Sequence, residues 1–169
     1  MKTKLSIKDV TPAVKSSVAA YLMARAYAET MRAAVDKIHR AILEESPLTN
    51  GHESKHGKPA EMITDPKLTW LCDDEEIMKD YYQESDKRLR AAHLKPDSMP
   101  DDHCPALVAE HIQVKTQWLL IECAAEMLGE NNPRDFNNQL LCAGLDTHQK
   151  FIDLVVGLVV NLPDFKSPL

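Results

Sequence analysis

The strongest constraint on the fold is an unbroken row of apolar and small residues near the start of the chain. Its members recur at steps of three and four residues; they are Val14, Ser17, Tyr21, Ala24, Ala28, Met31, Val35, Ile38 and Ile42. This spacing places the side chains on one face of an α-helix. Thr11-Pro12 favours a helix start, and Ser46-Pro47 predicts its end. We therefore predict one long N-terminal helix whose seam needs a long partner helix or a second copy of the chain.

Three further segments have helical periodicity. One opens on the acidic run Asp73–Glu76 and stops before Pro96, and another follows "MPDDHC" and reaches Gly129, with Leu107, His111, Val114, Trp118, Ile121, Ala125 and Leu128 as its seam. The last opens on Asp146 and Gln149, which have the spacing of a capping box, and it closes at Pro163. A shorter helix runs from Asn132-Pro133 to about Gly144. Because no stretch alternates with period two, we predict an all-α helical bundle of about four main helices plus one or two short ones.

The length indicates one domain. A chain of 169 residues is long enough to bury a hydrophobic core without disulfides or metals, so we predict a single all-α domain over residues 1–169. The segment "SPLTNGHESKHGKPAEM", residues 46–62, is rich in Gly, Pro and polar residues and has no apolar period. We predict that it is a flexible loop.

Charge and cysteine usage exclude several classes of protein. The net charge of −6, without a run of Lys and Arg, argues against a nucleic-acid partner. The four cysteines, Cys72, Cys104, Cys123 and Cys142, form no C-x-x-C pair, which favours free thiols in the cytoplasm. The most apolar stretch, residues 151–162, is shorter than the roughly 20 residues of a membrane span. We predict that this stretch is a buried helix and that the protein is cytoplasmic, without a membrane segment.

The stretch "MPDDHCPALVAEH", residues 99–111, is the densest group of candidate ligands. In the structural interpretation, which we favour, Asp101 or Asp102 caps a helix and Pro105 lies in its first turn. Cys104 and His111 lie seven residues apart, so an alternative zinc-like set would combine them with His103 or Asp102. We expect His111, at a seam position, to be a buried and hydrogen-bonded core histidine.

The other candidates have simpler explanations. His52 and His56 form an H-x-x-x-H pair, but the neighbouring Gly and Pro residues favour a loop over a metal-binding helix. Glu122, Glu126 and Glu130 follow one another at intervals of four, which is typical of a solvated helix face. No Gly-rich phosphate loop and no nucleophile elbow is present. We therefore predict no catalytic residue and no cofactor.

Two resemblances bear on function. The strings "DPKLTWL", "CPALVAEHIQVKTQWLLIECAAEMLG" and "KFIDLVVGLVVNLP" resemble a group of small phage and prophage proteins over roughly residues 60–165. This resemblance implies a phage accessory protein in the bacterial cytoplasm. Separately, Pro100-Asp101-Asp102-His103 is similar to a short motif of TorD-like chaperones of molybdoenzymes, which implicates Asp102 and His103 in binding. The Cys104-Pro105 pair that follows departs from that family's pattern.

These observations favour a non-enzymatic phage or prophage accessory protein. We expect it to act by contact with another protein, a host protein included, and to form a homo-oligomer through the long first helix. One alternative is a TorD-like chaperone that binds a signal-like peptide. A second alternative is a metal-dependent enzyme that uses Asp102, His103, Cys104 and His111.

Overall fold

The computed structural model describes residues 5–45, 75–128 and 135–169. These ranges hold five α-helices, namely α1 (Pro12–Glu45), α2 (Glu75–Ala91), α3 (Pro105–Ala124), α4 (Phe136–Cys142) and α5 (His148–Val160), and 3-10 turns at Ile7–Asp9 and Ala125–Leu128. No residue within them belongs to a β-strand, and the predicted all-α class is confirmed. The loop expected at 46–62, with His52 and His56, lies outside the described residues, as do Cys72, Gly129 and Glu130.

The long first helix forms as the sequence predicts. Pro12 is its first residue, and the Thr11 hydroxyl accepts a hydrogen bond from the Val14 amide at 3.2 Å, which satisfies one amide of the first turn. Every member of the seam except Ile38 is buried, and Ile38 is half-buried. The spacing of three and four residues therefore identified the buried face of α1 correctly.

The chain divides into two compact units. The terminal unit comprises the described residues of Met1–Ala28 and Ala109–Leu169, and the middle unit those of Glu29–Val108. The long helix α1 contributes residues to both units, and so does α3. Each unit has its own cluster of buried apolar side chains.

The terminal unit is built around an apolar core. Its buried members come from α1, from α3 with the 3-10 turn that follows it, and from α4 and α5; they are Val14, Val18, Tyr21, Leu120, Ile121, Ala124, Met127, Leu128, Phe136, Leu140, Phe151, Ile152, Val155 and Val159. Helix α5 supplies Phe151, Ile152, Val155 and Val159 with no exposed surface, at the spacing of one helical face. The apolar stretch at 151–162 is thus largely a core helix.

The middle unit has a smaller apolar cluster. Val35, Leu89 and Ala106 are its buried members among the described residues, and Ile38, Leu94 and Cys104 pack against them. Helix α2 ends in two hydrogen bonds, from the His93 amide to Arg90 O and from the Leu94 amide to Leu89 O. His93 has a positive φ of 57°, so this helix end is a Schellman motif with histidine in the position that usually holds glycine.

Two predicted helix caps were wrong in detail. The side chain that caps α5 is Thr147, whose hydroxyl accepts a hydrogen bond from the Lys150 amide at 3.2 Å; the Asp146 carboxylate instead pairs with the Lys150 ammonium at 2.6 Å. At α3 the residue before the helix is Cys104, whose carbonyl accepts the Val108 amide. Asp101 is not the cap because its carboxylate binds Arg90. Neither is Asp102, whose carboxylate is hydrogen-bonded to His103.

The predicted seam of α3 is buried only in its second half. Ile121 and Leu128 are core residues, whereas Leu107, Val114 and Trp118 are 64%, 47% and 51% exposed. His111 is exposed as well, so the expectation of a buried core histidine was wrong. The physical reason is that the apolar repeat continues along α3 beyond the part of the seam that the core covers.

Candidate functional site

The turn that precedes α3 is held by its backbone and by cations. The His103 amide donates to Pro100 O at 3.1 Å and closes the turn. The Asp101 carboxylate accepts a hydrogen bond from Arg90, while its carbonyl accepts one from Lys95 at 2.8 Å. Both polar groups of Asp101 are thereby used to fix the loop after α2, which leaves this residue a structural role.

Asp102 and His103 form an exposed pair. His103 Nδ1 donates to Asp102 Oδ1 at 2.9 Å, and the two side chains are 55% and 82% exposed, in the order His103 and Asp102. The hydrogen bond from His103 lowers the pKa of the Asp102 carboxyl from its usual value. The pair is accessible to a ligand, and the imidazole is oriented by the carboxylate.

The other two ligand candidates do not complete a metal site. Cys104 is half-buried and packs against the apolar cluster of the middle unit, while His111 is exposed on α3. Within residues 5–45, 75–128 and 135–169, no three His, Cys, Asp or Glu side chains come together as a metal site requires. The cysteines at 104, 123 and 142 form no disulfide. Glu122 and Glu126 are exposed, as expected for a solvated face.

A buried lysine in the middle unit was not found by sequence reasoning. The Lys95 side chain is 2% exposed, and its ammonium contacts the Asp86 carboxylate and the Asp101 carbonyl. Arg90 binds the same Asp86 carboxylate at 2.8 Å and also donates to the carbonyls of Pro96 and Met99. Burial alone would raise the pKa of Asp86, but hydrogen bonds from Lys95 and Arg90 outweigh it and lower that pKa. These groups fasten residues 95–101 to the end of α2.

A serine and a histidine also meet in the middle unit. His39 Nε2 and Ser85 Oγ are 2.8 Å apart, and the Tyr81 ring lies 5.2 Å from the imidazole. Such a pair can activate a serine nucleophile when substrate reaches it and amide donors stabilise the oxyanion. Ser85 is only 3% exposed and lies in the interior of α2, where helix hydrogen bonds occupy the amides. The pair is therefore a structural contact between α1 and α2. The sequence signal was a serine on the apolar face of α2.

The most distinctive surface of the terminal unit is the exposed side of α3. We call it the outer face of α3, and it consists of His111, Ile112, Val114, Lys115, Trp118, Leu119 and Glu122. Four of its members are large apolar side chains, between 42% and 51% exposed. The opposite side of the same helix supplies Leu120, Ile121 and Ala124 to the core. Helix α3 is thus apolar on both sides, with one side uncovered by the described residues.

Trp118 is the anchor of this face. Its indole ring packs 5.6 Å from the imidazole of His148, which in turn stacks on Phe136 at 5.7 Å with an interplanar angle of 15°. Phe136 meets the fully buried Phe151 edge-on at 5.3 Å. A row of rings therefore connects the exposed tryptophan to the core and restricts its orientation.

Comparison with known proteins gives no independent guide to this surface. The chain matches no protein-family model, no curated protein and no solved structure. None of the helices in the described part combines the length and the apolar content that crossing a bilayer requires. Function is therefore argued from the surface itself.

Proposed function

We propose that this protein acts by binding another protein, and that the outer face of α3 is the surface that binds. The observation that carries the proposal is the exposure of Trp118 and Leu119 beside Ile112 and Val114 on one helix. Together with the sequence resemblance to phage and prophage proteins, this leads us to propose a non-enzymatic accessory protein acting in the bacterial cytoplasm.

The distribution of apolar residues on α3 supports the proposal that a partner covers its outer face. A helix on the surface of a globular protein usually has one apolar face and one polar face, and a helix that is apolar all round is usually buried. Helix α3 has apolar residues on both sides, yet only one side contributes to the core. A partner that covers Ile112, Val114, Trp118 and Leu119 would remove the exposed apolar area from water.

The geometry of Trp118 supports a role in affinity. Tryptophan is among the residues enriched at the energetic centres of protein interfaces. Because the ring is already packed against His148, less side-chain entropy is lost when a partner binds it. A tryptophan alone on a polar surface would have no apolar neighbours. Trp118, in contrast, is flanked by Val114 and Leu119.

The test is site-specific photo-crosslinking of the full chain in bacterial cells. A photoreactive amino acid replaces Leu119, and a matched variant carries it at Lys37, which is exposed on α1. We expect a discrete protein adduct from position 119 that is absent from position 37, and mass spectrometry identifies the captured protein. Equal labelling at the two positions, or none at 119, would contradict the proposal.

A second proposal concerns Asp102 and His103. Their exposure and their 2.9 Å hydrogen bond favour a binding site for an extended peptide, as the similarity to TorD-like chaperones implies. Titration of the full chain with signal-like peptides, followed by calorimetry, tests it. We expect saturable binding that is weakened in His103→Ala and unchanged in His93→Ala, whose side chain is also exposed. Absence of binding would exclude this chaperone function.

A further inference from the structure

From the charges on the outer face of α3, we infer that its partner is a second copy of this chain, bound with the two α3 helices antiparallel. The inference rests on the proposed function and specifies the partner. It also differs from a homo-oligomer built on α1, because the α1 seam is already buried within the chain, whereas the outer face of α3 is exposed.

The charges on this face are arranged with one sign at each end. Lys115 lies in the N-terminal half, and Glu122 lies in the C-terminal half, followed by the exposed Glu126. Among the described residues, the side chains of Lys115, Glu122 and Glu126 form no hydrogen bond or ion pair. Seven residues separate Lys115 from Glu122, a rise of about 10 Å along the helix, so the two side chains do not pair within one helix.

An antiparallel second copy pairs these opposite charges at two symmetry-related positions. When the two-fold axis passes between Trp118 and Leu119, Lys115 of each copy lies opposite Glu122 of the other, because the two positions are equally far from the axis. The same symmetry brings His111 opposite Glu126. A parallel arrangement would instead place like charges together. The face is therefore complementary to itself, which is what a two-fold symmetric interface requires.

The apolar residues fit the same arrangement. Trp118 and Leu119 lie at the level of the axis, on opposite sides of the line through Lys115 and Glu122, so each of them meets the same residue of the second copy. Val114 and Ile112 lie farther from the axis along the helix than Lys115 does. The ion pairs of such a dimer are therefore bordered by apolar side chains, which the second copy covers together with them.

The experiment measures the mass of the full chain in solution by sedimentation equilibrium at micromolar concentration. We expect a reversible dimer with twice the chain mass of 19.0 kDa. Trp118→Ala is expected to weaken dimerisation about thirtyfold or more. A chain that stays monomeric throughout the micromolar range would overturn the inference.

Charge reversal tests the antiparallel register. Lys115→Glu and Glu122→Lys each convert two attractive pairs into two repulsive ones, and each is expected to weaken dimerisation about tenfold. The double variant Lys115→Glu with Glu122→Lys restores both pairs with their signs exchanged, so dimerisation is expected to recover to about the wild-type level. Lys37→Glu, an equal change of charge on α1, is the control and is expected to have no effect. A double variant as weak as the single ones would overturn the register.

The outcomes separate this inference from the proposed function. A monomeric chain that nevertheless crosslinks from position 119 to a different protein would overturn the dimer and leave the proposed function standing. A monomeric chain without any adduct from that position would overturn both. Circular dichroism of each variant confirms that a loss of dimer is not a loss of fold.

Discussion

The described residues of the two units bury different kinds of group. The terminal unit buries a continuous apolar core that includes Phe151 and Ile152 with no exposed surface. Among the described residues of the middle unit, the apolar cluster is small, and polar groups are buried beside it, namely Ser85 and Lys95. One helix, α1, therefore contributes residues to two kinds of core along its length.

This difference affects how stability depends on pH. Apolar burial does not titrate, whereas the Asp86 carboxylate of the middle unit does. The Asp86 pKa lies below its ordinary value of 3.8, so the stability that Asp86 contributes is present above that value and is lost as pH falls through the folded-state pKa. We therefore expect the contribution of Asp86 to the middle unit to be lost only below pH 3.8.

The largest expected effect is a cavity in the terminal unit. Phe151→Ala removes a fully buried ring and its edge contact with Phe136, and we expect the free energy of unfolding to fall by about 4 kcal/mol. Urea denaturation followed by circular dichroism measures it. Leu154→Ala on the same helix, where the side chain is 39% exposed, is the control and should lose about 1 kcal/mol or less. Equal losses in the two variants would contradict an apolar core at Phe151.

The corresponding change in the middle unit removes a charge. Lys95→Met preserves much of the side-chain volume but leaves the Asp101 carbonyl without its lysine partner and Asp86 with Arg90 alone. We expect a loss of about 3 kcal/mol in the same urea measurement, because one member of a buried charged network is deleted. Lys87→Met, on the exposed side of α2, should leave stability unchanged. A neutral or stabilising Lys95→Met would show that apolar packing can replace the network, and the contrast between the units would fail.

Titration of His39 gives a smaller effect in a defined pH window. Burial lowers the pKa of His39 from 6.5, against an opposing effect of Asp36, so the folded state binds a proton less readily than the unfolded chain. Stability is then complete above about pH 6.5 and decreases as pH falls below it. We expect the thermal midpoint of the wild type to decrease between pH 7 and pH 5.

The His39→Gln variant serves as the control for this window. Glutamine can still hydrogen-bond Ser85 but does not titrate, so its thermal midpoint should change less between the same two pH values. An identical pH dependence in the variant and the wild type would assign the effect to other groups. Burial of the Tyr81 phenol beside His39 raises its pKa to about 12, so Tyr81 stays neutral throughout this range.

The sequence predicted the helices better than it predicted their surroundings. The α1 seam, the Thr11 cap and the core role of residues 151–162 follow from local spacing and capping, which act within a few residues. The prediction that His111 is buried was wrong, because periodicity shows which residues share a helix face and not which part of that face another helix covers. Lys95 was missed for a related reason: its partners Asp86 and Asp101 lie nine and six residues away, which is beyond the spacing of three and four residues that helical periodicity reports, and they meet it through the turn after α2.

The smallest expected effect comes from the two helix ends that share one motif. Helix α4 ends like α2: the Gly144 amide donates to Leu141 O and the Leu145 amide to Leu140 O, with Gly144 at a φ of +77°. Glycine accepts this backbone conformation without strain, whereas His93 adopts it against the preference of a residue with a Cβ atom. We expect His93→Gly to stabilise the middle unit by about 1 kcal/mol in urea denaturation, and Gly144→Ala to destabilise the terminal unit by a similar amount. If His93→Gly were instead destabilising, the exposed imidazole would have a role of its own at the end of α2, and the two helix ends would not be equivalent.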